Sequence, residues 1–157
     1  MGRTAINKNI SVDHGLTGLI LASASQARKD LLQGAGLNFT VQPADLDESS
    51  VIKKMGGCAP AEIAGELAFK KAEYISGQAG RDAIVIGSDQ VLAFEGDIFE
   101  KSRSPEEAAE KIKAMSGKTH YLVSAVAVVK NGNRLWQHSQ SASLTMRNLD
   151  DSEIEAY

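Results

Sequence analysis

The run Ala83–Gly87, AIVIG, constrains this chain most. A continuous apolar stretch this short, closed by a glycine, reads as a strand buried on both faces, and such strands belong to α/β sheets covered by helices. It delivers the chain directly to Ser88-Asp89-Gln90. The flanking segments fit that class. LILA, Leu19–Ala22, is followed by Ser23-Ala24-Ser25 and the helical segment QARKDLLQ, which stops at Gly34 and Gly36. A strand over Asn38–Gln42 leads through an acidic turn, PADLDESS, to a helix opened by Pro60 and running to Ile75, with Ile63, Ala64, Leu67, Ala68 and Ile75 as its apolar stripe. A hairpin through Glu95-Gly96-Asp97 joins Val91–Phe94 to Ile98–Phe99. Ser104, Pro105 and Glu107 open the next helix in a capping-box pattern, and Gly117 ends it. Strands over Tyr121–Val129 and Arg134–His138 meet around Asn131-Gly132, a third spans Ser143–Met146, and a helix capped by Asp150 with Glu153 follows. The order β-α-β-α-β-β-α-β-β-β-α predicts an α/β domain, a mixed twisted sheet with flanking helices.

Residues 19–157 read as a single domain, because 157 residues with 43% apolar content suffice for one core and no composition shift marks a second. Residues 1–18 read as a loose leader without the apolar centre of a signal peptide. The formal charge of -3 argues against a general nucleic-acid binder, so any anionic ligand has to meet a local cationic cluster. Cys58 is the only cysteine, which excludes an internal disulfide and a multi-thiolate metal site and favours a cytoplasmic location. No apolar run has the length of a membrane-spanning helix.

Several residues carry candidate chemistry, each with a plainer alternative. Ser23 and Ser25 precede a helix whose first turn holds Arg28, a combination of amides, hydroxyls and guanidinium that suits a phosphate chain. Alternatively, Ser25 only caps the helix and Arg28 is solvated. Asp89 follows a buried strand, where ligands gather in α/β sheets, or it satisfies turn amides. Glu48, with Asp45 and Asp47, offers oxygen ligands to magnesium or lies in an exposed turn. Lys71 falls on the apolar stripe, four residues from Leu67 and Ile75, so it serves a cleft or snorkels to water. Lys101 is a second cation available to a polyphosphate, or ordinary surface charge. His14, His120 and His138 show no metal-ligand spacing, and Trp136 reads as a core or interface residue.

Taken together and in order, LILASASQARKDLL, LDE at 46–48, LAFKKA at 67–72, IVIGSDQVL at 84–92 and the Lys101 segment resemble the Maf family of nucleotide pyrophosphatases. The likeness extends through AEKIKAMSGKTHYLVSAVAVV to SLTMRNLDDSEIEAY. It implies an ITPase-like fold of two lobes around a nucleotide-binding cleft, commonly homodimeric, that cleaves a nucleoside triphosphate to a monophosphate and pyrophosphate with a divalent cation, Mg2+ or Mn2+. On that resemblance Ser23, Ser25, Arg28, Lys71 and Lys101 bind phosphates, Asp89 is catalytic, and Glu48 with Asp89 holds the metal. Gln90 points to the branch acting on 7-methyl-GTP rather than dTTP or UTP. Ala27 stands where some members of that branch carry a bulky aromatic residue, and Ser102 stands where a proline usually follows the second lysine. Family members usually continue beyond this point with a Gly-rich segment, a strand and a helix, so a missing C-terminal segment is expected. The alternative role is a non-catalytic nucleotide-binding regulator of cell division.

Overall fold

The computed structural model describes residues 18–156, so the leader expected over 1–18 lies, apart from Gly18, outside the described residues, as does Tyr157. In chain order the elements are β1 (Leu19–Leu21), α1 (Gln26–Gly34), β2 (Thr40–Val41), α2 (Glu48–Lys54), α3 (Pro60–Ser76), β3 (Ile84–Phe94), β4 (Asp97–Phe99), α4 (Pro105–Met115), β5 (Thr119–Lys130), β6 (Asn133–Thr145) and α5 (Asp151–Glu155). One sheet runs β2-β1-β3-β5-β6, with β4 paired to β3. The pairs β1–β2 and β1–β3 are parallel, whereas β3–β4, β3–β5 and β5–β6 are antiparallel. The domain is therefore mixed α/β, as the element order predicts.

The core lies between α3 and one face of this sheet. Ile63, Ala64, Leu67 and Ala68 meet Val91, Val123, Ala125 and Ala127, and further along Ala72 and Ile75 meet Ile20, Val85 and Val129. The small residues of α3 set the spacing. Gly87 on β3 lies so close to the helix that a Cβ there would stand 2.0 Å from the Ala68 carbonyl oxygen and 2.8 Å from the Ala72 nitrogen. Only glycine permits this approach. The two hairpins form as expected: Glu95-Gly96 and Asn131-Gly132 have φ of 50°, 94°, 49° and 73°, the left-handed pair required to reverse twisted strands in two residues.

Four expectations need correction. The AIVIG run is packed on one face only: Val85 is fully buried, whereas Ile84 and Ile86 on the other face are half-buried. Its strand does not end at Gly87 but continues through Asp89 to Phe94, held by antiparallel pairing with β5. The acidic turn contains α2, whose start is fixed by Asp47 accepting the Ser50 amide at 3.1 Å. The strands expected over Arg134–His138 and Ser143–Met146 are one edge strand, β6, because its ladder with β5 continues from Asn133 to Thr145.

Candidate active site

The site forms where β1 stops and β3 continues. β1 accompanies β3 only as far as Leu21 opposite Ile86. Beyond that point the side of β3 that β1 had covered opens beside Asp89, the crevice in which α/β sheets collect ligands. Asp89 itself pairs with Ala125 of β5 and is 5% exposed. Alternation along the strand puts it on the face of Gly87 and Val91, toward α3.

From α3, Lys71 reaches the same point. It is 9% exposed, its ammonium bonds the Asp89 carboxylate, and it stands 2.8 Å from Glu48 Oε1. The snorkelling alternative does not describe it, since the charged end points at carboxylates within the fold. α2 supplies Glu48 from its first turn, while Asp47 is occupied in capping that helix through Ser50. Burial holds the Asp89 carboxyl above its ordinary range; the hydrogen bond and charge of Lys71 oppose that shift, Glu48 adds to it, and Arg28 opposes it more weakly.

The turn after β1 adds a cation. Arg28 Nη1 donates to the buried Ser23 Oγ at 2.8 Å, and the same oxygen accepts the Ser25 amide at 3.3 Å. Ser25 occupies the N-cap position of α1, yet its hydroxyl makes no capping bond. Neither half of the plainer reading describes this turn, because Arg28 is half-buried against Ser23.

A pocket of about 170 Å³ opens over the cluster, and Glu48, Asp89, Gln90, Glu100, Lys101 and Arg103 line it. The fold thus joins Glu48, Lys71 and Asp89 directly, with Arg28 near enough to act on Asp89 and Lys101 at the mouth. Gln90 also borders the pocket, but its side chain leaves β3 on the face opposite Asp89 and donates to Ser124 Oγ at 2.8 Å. Ala27 is exposed on α1 and does not line this pocket. The pocket also takes in Ser49, Glu100 and Arg103, for which the sequence carries no signal beyond the nearness of Arg103 to Lys101.

Among the described residues no group of three or more His, Cys, Asp or Glu is placed to hold a metal ion. Glu48 and Asp89 nevertheless converge on one positive charge, the Lys71 ammonium. Two converging carboxylates suit a hard, hydrated divalent cation whose other ligands are phosphate oxygens and water.

Fold and site together define an α/β domain with a buried, cation-paired carboxylate in an acid-and-base-lined crevice, an arrangement suited to polyphosphate chemistry. The chain belongs to the Maf-like protein family, whose model matches residues 18–157. It is 45% identical over 140 residues to a nucleoside triphosphate pyrophosphatase of Nitrobacter hamburgensis, covering 88% of this chain and 68% of that one. It is 44% identical over 139 residues to a 7-methyl-GTP pyrophosphatase of Bartonella quintana, covering 88% and 70%. A HAM1 protein from Coxiella burnetii is similar in structure, with a TM-score of 0.48, 16% identity, and coverage of 80% and 70%.

Proposed function

We propose that this protein is a nucleoside triphosphate pyrophosphatase that cleaves between the α- and β-phosphates and favours a modified guanine nucleotide such as 7-methyl-GTP. The observation that carries the reading is the buried Asp89 bonded to Lys71, with Glu48 on the same ammonium and Lys101 at the pocket mouth. Membership of the Maf-like family and the names of its relatives supply the reaction class. The 7-methyl-GTP preference rests on Gln90 and on the Bartonella relative.

In this mechanism an incoming polyphosphate competes for the Lys71 ammonium and releases the Asp89 carboxylate. Asp89, more basic than an ordinary carboxylate because it is buried, accepts a proton from the attacking water. The water oxygen bonds to the α-phosphorus while the bond from that phosphorus to the bridging oxygen breaks, and pyrophosphate leaves with that oxygen. Arg28, Lys71 and Lys101 neutralise the charge that develops on the phosphoryl oxygens and the leaving group. Glu48 and Asp89 would hold a divalent cation, which supplies further neutralisation and orients the phosphates.

Product analysis tests the reading. Incubation with 7-methyl-GTP, dTTP, UTP and GTP in the presence of magnesium or manganese should release a monophosphate and pyrophosphate, fastest from 7-methyl-GTP. Orthophosphate as the first product would refute the bond assignment, and equal rates on all four nucleotides would refute the preference.

A further inference from the structure

Arg103 is a cation of the Asp89 pocket to which the mechanism above gives no part. It lines that pocket with Lys101, which also borders the neighbouring groove against α4 together with Ser102. Among the described residues the Arg103 guanidinium makes no salt bridge, in contrast to Lys71, which is engaged by two carboxylates.

The segment is also held in place. The Arg103 amide donates to Glu107 Oε2 at 2.9 Å, and the other oxygen of Glu107 takes the Lys111 ammonium at 2.7 Å. Lys111 in turn donates to the Glu100 carbonyl at 2.7 Å, and the Glu100 carboxylate accepts the Ser49 hydroxyl of α2. Glu107 and Lys111, one turn apart on α4, therefore grip both ends of Glu100–Arg103. A backbone fixed in this way lowers the ordering cost of engaging an anion. The guanidinium presents a planar fork that bonds two phosphate oxygens at once, which a lysine does not reproduce.

We propose that Arg103 binds the pyrophosphate portion of the nucleotide, together with Lys101, and holds it as the leaving group. The inference rests on the nucleotide pyrophosphatase reading above. Arg28 and Lys71 come from α1 and α3, whereas Lys101 and Arg103 come from the segment between β4 and α4, so cations from separate elements share the charge of the polyphosphate.

Calorimetric binding of inorganic pyrophosphate, in parallel with binding of the nucleoside monophosphate, tests this on the wild-type chain and on Arg103→Ala and Arg103→Lys. Because Arg103 is exposed, both variants should melt with the wild type. Arg103→Ala should weaken pyrophosphate binding about tenfold, a loss of ~1.4 kcal/mol, because the charge-assisted bonds of the guanidinium are removed. Arg103→Lys should recover part of that loss, and monophosphate affinity should stay unchanged. Equal pyrophosphate affinity in Arg103→Ala and wild type would overturn the role of Arg103 and leave the pyrophosphatase reading standing, as would an equal loss for monophosphate and pyrophosphate. Failure of the wild type itself both to bind pyrophosphate and to release it from a triphosphate would overturn both.

Discussion

Lys71 holds Asp89 and Glu48 with one ammonium, and the environments of the two acids differ. The Asp89 side chain is 7% exposed and that of Glu48 36%, so water screens the second and not the first. Replacing Lys71 with Met should therefore leave chiefly Asp89 uncompensated, destabilising the fold at neutral pH by ~3 kcal/mol, the low end for breaking a buried ion pair. The pH dependence has a definite sign. The Asp89 carboxyl in the folded protein titrates above its ordinary value of 3.8, so its favourable contribution is fully present below 3.8 and is lost as pH rises through the folded value. Lys71→Met removes the largest opposing influence, so urea denaturation across a pH series should show the deficit shrinking on acidification. A deficit independent of pH would mean that lost packing, and not charge, causes it. Asp89→Asn tests the proposed base: kcat should fall about 10²–10⁴-fold while the fold keeps or gains stability at neutral pH. In the wild type the acid limb of the rate profile should lie above the ordinary carboxylate range, since the role proposed for Asp89 requires it ionised.

The site depends on how closely α3 approaches β3, and Gly87 sets that approach. Gly87→Ala places a methyl carbon against the backbone of α3 at Ala68 and Ala72, neither of which can swing away, so the helix has to move and carry Lys71 with it. The expected cost is ~3 kcal/mol or somewhat more, the upper range for overpacking, accompanied by a fall in kcat/KM. Gly34→Ala is the control, because a Cβ there meets nothing within 4 Å. A wild-type melting profile for Gly87→Ala would contradict the packing argument. The same elements show what was legible beforehand. α3 was readable because nine of its residues are buried in a helical stripe. α2 was not, because none of its residues is buried and only the Asp47 cap marks it. The sequence divides β6 in two because Ser139–Ser143 carries almost no apolar signal, and an edge strand open to water needs none. Glu48, Lys71 and Asp89 were found in order along the chain, but their meeting at one ammonium follows from tertiary packing. Gln90 reads as a neighbour of Asp89 in the chain, yet the pleat sends it to the other face.

Across the molecule, the site is assembled from parts of unequal anchorage. Lys71 and Asp89 sit on the α3–β3 pair, which carries the core, whereas Arg28 and Glu48 sit on α1 and α2, neither of which buries a single residue. Elements with few buried apolar contacts open locally at a low free energy, while core strands open only with global unfolding. Native-state hydrogen exchange should therefore show slow amides along β3 between Val85 and Ala93 and fast ones in α1 and α2. A nucleotide that bridges Arg28, Glu48 and Lys71 ties the lightly held helices to the rigid pair. Its binding should slow exchange in α1 and α2 by roughly the stabilisation it supplies, ~2.7 kcal/mol at a hundred times its dissociation constant. Exchange in β3 should slow only insofar as the whole fold is stabilised. The comparison to make is a nonhydrolysable triphosphate with divalent cation against the free protein. Protection confined to α3 and β3, with α1 and α2 unaffected, would show that Arg28 and Glu48 do not engage the nucleotide. Protection led by α1 and α2 would show that the substrate completes a site which the fold holds rigid on one wall only.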